Sequence, residues 1–178
     1  CALPIFSRQI DLKIQMRFRS ELDGSVWDLI TTDTFPTAGG WHHLLVSVDA
    51  ANSITQIYID DAIPALDFDI FVDRIIQWNT VQEFRVGADL TTSFANVDLA
   101  EFYVTNEHLD LSVESNRRKF ISAGGKPVEL GTDASDPTGT APLIYFQGPT
   151  VSWHTNKGSG GGFTEIGAIT DAATSPSD

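Results

Sequence analysis

The chain has a single cysteine, few lysines and no long apolar run. One cysteine among 178 residues excludes an intrachain disulfide framework and any zinc or iron–sulfur centre built from clustered thiolates. No apolar stretch approaches the roughly 18–20 residues that cross a bilayer as a helix, so no membrane span is expected. Eleven basic side chains face 24 acidic ones, a formal charge of −13. A dedicated phosphate-backbone binder needs a basic face, so nucleic acid is excluded as a partner. Only seven of the acids are Glu and seventeen are Asp, a turn-rich, strand-leaning composition. What remains is 42% apolar with a mean hydropathy near zero. That is enough core for one domain, or one domain with an extension.

Cys1 is not an initiator methionine. Either a longer chain precedes it, or it is the mature end of a lipoprotein. Leu3-Pro4-Ile5-Phe6 looks like the edge of a folded unit rather than a polar tether, which favours the longer chain.

The strongest periodicity runs from Ile10 to Arg19. Ile10, Leu12, Ile14, Met16 and Phe18 share one parity; Asp11, Lys13, Gln15, Arg17 and Arg19 share the other. This predicts a strand with one buried and one wet face. Asp23-Gly24 predicts a tight turn into a return strand over Val26 to Thr31. Trp41 to Asp49 reads as a strand, and Ile54 to Ile59 as its hairpin partner, closed by Asp60-Asp61. Residues 62 to 80 are irregular, with at most a short strand. Further strands are predicted over Val81–Ala88, Val97–Thr105, Leu143–Phe146, Val151–His154 and Phe163–Ile169. One helix is expected over Val113–Ser122, capped by Asp110 or Ser112 and stopped by Gly124-Gly125 and Pro127. The class is therefore all-β, with one short helix.

Particular residues narrow the class. Gly39-Gly40-Trp41-His42-His43-Leu44-Leu45-Val46-Ser47-Val48-Asp49, followed by Ile57-Tyr58-Ile59-Asp60-Asp61, is similar to the "G-x-W-H-h-h" strand and "h-Y-h-D-G" partner of the concanavalin A-like jelly-roll superfamily. Within it, the likeness is to laminin G-like and pentraxin-like modules. Asp61 stands where that family has glycine. Phe84-Arg85-Val86-Gly87-Ala88 resembles the family's "h-x-h-G" strand. Asp98-Leu99-Ala100-Glu101-Phe102-Tyr103-Val104 resembles its "G-x-h-D-E-h-x-h-y" strand, with Ala100 at the usual Asp position. The likeness covers about residues 10 to 122, and the order of the motifs is its strongest part. It implies an antiparallel jelly-roll sandwich over 1–122 that begins before Cys1. An extension over 123–170 and a tail or linker over 171–178 follow. Lys126-Pro127-Val128, Ala141 to Phe146 and Trp153 to Phe163 resemble an extension carried by jelly-roll proteins of tailed bacteriophages.

Glycoside hydrolases share this jelly roll and need two carboxylates about 5–10 Å apart. The E-x-D-x-x-E strand motif of the retaining members is missing. Glu101 and Glu107 stand apart, and Asp98 faces away from Glu101 by parity. No G-x-S-x-G elbow occurs, so no catalytic residue is assigned and the chain is read as non-enzymatic. His42 and His43 are adjacent on a predicted strand, point to opposite faces and cannot chelate one ion together; both are expected to be packing residues. Calcium is the one cofactor the resemblance implies, with Asp60, Asp61 and Asp89 as its candidate ligands; the competing reading makes these plain turn residues. Trp27, Trp78 and Trp153 are the candidates for stacking on a glycan, against a role in the core; Trp41 is assigned to the core. The Gly158–Gly162 run lacks the Lys-Ser/Thr pair of a phosphate loop and reads as a flexible surface loop. Arg117-Arg118-Lys119 reads as a solvated or salt-bridged face.

Three functions compete. The first is a structural or adhesion module of a phage virion, part of a larger homo-oligomeric assembly that displays its surface to neighbouring subunits or a host glycan. The second is a secreted or cell-surface carbohydrate-binding lectin module, with calcium. The third is a glycoside hydrolase with an atypical site. The fold likeness, the missing paired acids and the phage-like extension favour the first.

Overall fold

The computed structural model describes residues 5–8, 13–20, 24–34, 40–49, 51–71, 85–87 and 97–176. Its strands are β1 (Ile5–Arg8), β2 (Lys13–Ser20), β3 (Gly24–Thr34), β4 (Leu44–Asp49), β5 (Ile54–Ile59), β6 (Leu66–Phe71), β7 (Phe102–Val104) and β8 (Ile144–Phe146). The described residues also form two single-turn helices, α1 (Glu114–Arg117) and α2 (Thr150–Trp153). The protein is mainly antiparallel β, and among the described residues the strands form sheets of four, two and two. No helix among the described residues is long and apolar enough to cross a membrane. The chain divides into two compact units, Cys1–Gly40 with Val48–Asn96, and Trp41–Ser47 with Val97–Asp178.

The first unit holds an antiparallel sheet in the order β1-β2-β3-β6. The alternation read in the sequence produces β2, whose Ser20 stands opposite Gly24 of β3; Asp23, expected to make the turn with Gly24, lies outside the described residues. Two irregularities in the β2–β3 ladder, at Lys13/Gln15 and at Phe18/Arg19, accommodate the greater length of β3. On β3, Leu29 and Thr31 are fully buried, the parity expected of a half-buried strand. Thr31 satisfies its hydroxyl by donating to the Asp33 carbonyl at 3.0 Å. At the exposed end, Asp67 of β6 takes hydrogen bonds from Lys13 and Thr32. These hold its carboxyl below the usual aspartate range.

β4 and β5 pair as a two-stranded hairpin, with β4 beginning at Leu44 rather than Trp41 and β5 on its predicted residues. Beyond β5, Ile59 and Ala62 exchange backbone hydrogen bonds of 2.8 and 3.0 Å. The two residues between them, Asp60 and Asp61, both have positive φ, 51° and 66°. That is the two-residue hairpin turn with both central residues left-handed, which favours Gly, Asn and Asp. Aspartate therefore suits both central positions of this turn. Asp61→Val should cost about 1–2 kcal/mol in urea unfolding, because a β-branched side chain is strained at positive φ. Asp61→Gly should be neutral or stabilising. A tolerated valine would refute this account of the turn.

The second unit is built around β7 and β8, paired in the register Phe102↔Phe146, Tyr103↔Tyr145 and Val104↔Ile144. All three β8 residues are buried, so the strand is enclosed on both faces. Tyr145 packs with Phe120, Leu130 and Ala134, and Leu45, Tyr103 and Leu109 pack against this cluster. Phe146 lies against Phe102, Trp153 and Phe163, with ring centroids 6.1, 5.0 and 4.8 Å away.

Several local expectations are corrected here. The predicted ten-residue helix shrinks to four. Asp110 caps a turn instead, accepting from the Ser112 N–H and hydroxyl at 2.9 and 2.7 Å, and Val113 at the N-cap supplies no side-chain bond. After Phe120 the chain folds back, with Ser122 N–H donating to the Lys126 carbonyl and Val128 N–H to that of Phe120. Gly125, at φ 76°, makes that reversal. Residues 151–154 were expected to be extended. Instead Thr150–Trp153 form a second short helix, entered from Pro149, whose fixed φ suits a helix start. Residues 163–169 form no strand. Gly167 turns at φ 94°, and the Ile169 N–H bonds the Glu165 carboxylate at 3.3 Å. Of the predicted strand over Val81–Ala88 only residues 85–87 are described, and they bend, with Gly87 at φ 77°, instead of forming strand; residues 72–84 lie outside the described residues.

Candidate functional site

Trp27 sits on β3, opposite Phe18 of β2 and Phe71 of β6 in the ladder. Trp78 and Asp89 lie outside the described residues. Trp153 is half-buried, donates its indole N–H to the Ala100 carbonyl at 3.0 Å and packs on Phe146; it is spent on structure. Asp60 and Asp61 form the turn after β5. Among the described residues no three His, Cys, Asp or Glu side chains are grouped to hold a metal ion.

The remaining motifs also resolve into structure. His42 is exposed and His43 half-buried, so only the second fits the packing role expected of both. Trp41 is half-buried and bonds Thr174 through its indole N–H at 3.0 Å. The basic trio is engaged throughout. Arg117 donates to the Leu111 carbonyl at 2.7 Å, Arg118 pairs with Glu114 at 2.9 Å, and Lys119 donates to the Pro137 carbonyl at 2.7 Å.

The feature that stands out is an open pocket of about 620 Å3 in the second unit. It is lined by Glu129, Gly131, Thr132, Asp133, Asp136, Gln147 and Lys157. Its construction begins at Asn156. The Asn156 side chain accepts from the N–H groups of Tyr145 and Gly158, at 2.9 and 3.0 Å. It donates to the carbonyls of Leu143 and Gly161, both at 3.0 Å. The backbone then runs along the start of β8. Lys157, Ser159 and Gly160 N–H groups donate to the carbonyls of Tyr145, Pro142 and Leu143. A Cβ on Gly158 would lie 2.5 Å from the Pro142 oxygen, and one on Gly160 would lie 2.4 Å from the Leu143 oxygen. The glycines are there for close approach, and the segment read as a flexible loop is in fact hydrogen-bonded to its neighbour.

This docking fixes Lys157, whose ammonium bonds the Gln147 side-chain carbonyl at 2.9 Å and lies 5.9 Å from the Tyr145 ring centroid. The opposite wall is the 129–136 turn. Gly131, at φ 87°, leaves room for the Asp136 carboxylate, which a Cβ would meet at 3.0 Å. Hydrogen bonds from the Ser135 hydroxyl and N–H hold the Asp133 carboxyl below its ordinary range, so it stays ionised at neutral pH.

Behind the pocket, burial raises the Glu101 carboxyl, the Glu129 charge adds to this, and Lys157 opposes it. The folded state therefore holds the Glu101 proton more tightly than the unfolded state does. Its contribution to stability falls as pH rises through that range. Glu101→Gln should raise the melting temperature at pH 7, and the gain should vanish in acid. A gain that does not change with pH would refute this.

The buried hydroxyl of Tyr145 has no hydrogen-bond partner among the described residues. Burial first, then the charges of Glu101 and Glu129, push its pKa up to about 12. Tyr145→Phe should stabilise the unit by about 1 kcal/mol, since it removes an unsatisfied buried group. That advantage should widen above pH 10, where the unfolded tyrosine ionises first and the wild type loses stability up to about pH 12. A destabilised Phe variant would reveal a hydroxyl partner.

Sequence reasoning missed this pocket because three separate segments supply its walls. The local signals were the turn-forming run Gly131-Thr132-Asp133 and the glycines after Lys157. Chemically, the walls offer acceptors from three carboxylates and donors from an ammonium, an amide and a hydroxyl. No histidine, serine or cysteine lines them. No protein-family model, no curated protein and no solved structure matches this chain.

Proposed function

We propose that this chain is a concanavalin A-like β-sandwich module acting without catalysis, as a structural or adhesion component of a tailed-phage virion. The β4–β5 hairpin carries the reading. Its second strand and the left-handed Asp60-Asp61 turn, on the residues of the "h-Y-h-D-G" resemblance, support it. The mainly antiparallel architecture agrees with it. The module would work by display. A rigid β scaffold holds its loops toward a neighbouring subunit or a host glycan, and homo-oligomerisation multiplies weak contacts into avidity. The charge of −13 keeps such a module soluble and repels nucleic acid.

The test is light scattering on the purified chain, with co-sedimentation against virions of the phage that encodes it. The expected result is a homo-oligomer burying about 800 Å2 per partner and retained on particles. A monomer that binds no particle overturns the reading.

A further inference from the structure

The pocket beside β8 has a chemistry that selects among ligands. Its volume, about 620 Å3, falls within the range of small-molecule sites, roughly 300–1,000 Å3. Its lining exposes more apolar than polar surface, but every side chain there ends in a polar group, so a wholly apolar ligand would leave those groups unpaired. Glu129, Asp133 and Asp136 repel an anion. Lys157, fixed on Gln147, works against a simple amine. A ligand that both donates to carboxylates and accepts from an ammonium and an amide satisfies both walls, and adjacent hydroxyl groups do this.

The walls are also set in place beforehand. The 129–136 turn lies over the Tyr145, Leu130 and Ala134 core, and Lys157 is held by its backbone bond to Tyr145. Such preorganisation lowers the ordering cost of binding.

We infer that this pocket binds a neutral, hydroxyl-rich saccharide unit. Glu129, Asp133 and Asp136 accept from its hydroxyls, and Lys157, Gln147 and Thr132 donate to its oxygens. The inference rests on the adhesion reading above and draws the glycan contact from residues other than the three tryptophans considered earlier.

The experiment is a titration of the full isotope-labelled chain with glucose, galactose, mannose and N-acetylglucosamine at millimolar concentration, followed by amide NMR. Putrescine serves as the competing amine probe. The expected result is that at least one sugar shifts Thr132, Asp133, Gln147 and Lys157. Asp133→Asn and Lys157→Met, each checked for a native spectrum, should each weaken that sugar about tenfold. Shifts confined to Trp27, Trp78 or Trp153, binding of putrescine alone, or no binding would each overturn the inference. Particle co-sedimentation keeps the two readings apart. A chain retained on virions that binds no sugar refutes only the pocket, and a sugar-binding monomer that ignores virions refutes only the virion role.

Discussion

Phe146→Ala should cost the second unit about 3–5 kcal/mol, the range for removing a buried phenylalanine. Phe146 is 2% exposed and its ring meets three others, two of them, Trp153 and Phe163, within 5.0 Å. These neighbours come from α2 and from the segment after the glycines, so nothing on one element alone can close the cavity. A typical domain is stable by only 5–15 kcal/mol, so the loss should be visible as early urea unfolding of β7 and β8. Amide exchange at Phe102–Val104 and Ile144–Phe146 would report it directly. A loss below about 1 kcal/mol would mean that these rings do not form the packed centre.

Asn156→Ala should cost about 3 kcal/mol. The substitution removes four hydrogen bonds and leaves the Tyr145 N–H short of a partner, at about 1–3 kcal/mol if unsatisfied, while the Leu143 carbonyl keeps the bond from the Gly160 N–H. Asn156→Asp gives the internal comparison. It keeps both acceptor bonds, to the N–H groups of Tyr145 and Gly158, and loses both donor bonds, so it should fall between wild type and alanine. If alanine and aspartate unfold together with wild type, the segment is held by its backbone bonds alone. Gly160→Ala should then be the more damaging change, because its Cβ meets a backbone oxygen that cannot swing away.

The parts of the fold that could be read in advance are those whose signal is local. Alternation over Lys13 to Arg19 gives β2, and Tyr58-Ile59-Asp60-Asp61 gives a strand end and its turn. The β7–β8 pairing joins Tyr103 to Tyr145. Short strands carry little periodicity, so no window on the sequence contains that pairing. Val151-Ser152-Trp153 looks like a strand by residue type, but Pro149 and packing on Phe146 make it helical; tertiary contact outweighs a weak propensity. The same holds for the site. Asp60 and Asp61 stand out in the sequence by charge and serve in the structure through their backbone. Lys157 carries no local signal, yet it becomes a pocket wall because Asn156 and two glycines lay its backbone against β8.

The division of the chain has a consequence for its synthesis. The first unit's central pair, β2 and β3, is adjacent in sequence, with Ser20 opposite Gly24, and can form as soon as it leaves the ribosome. Trp41–Ser47 emerge next, but the unit they belong to resumes only at Val97. Its central pair then waits for roughly forty residues between β7 and β8, a loop whose closure slows folding more than it lowers final stability. For much of its translation the nascent chain therefore carries Trp41, Leu44 and Leu45 before the rest of their unit has been made, which makes this stretch the natural point for chaperone capture or premature self-association.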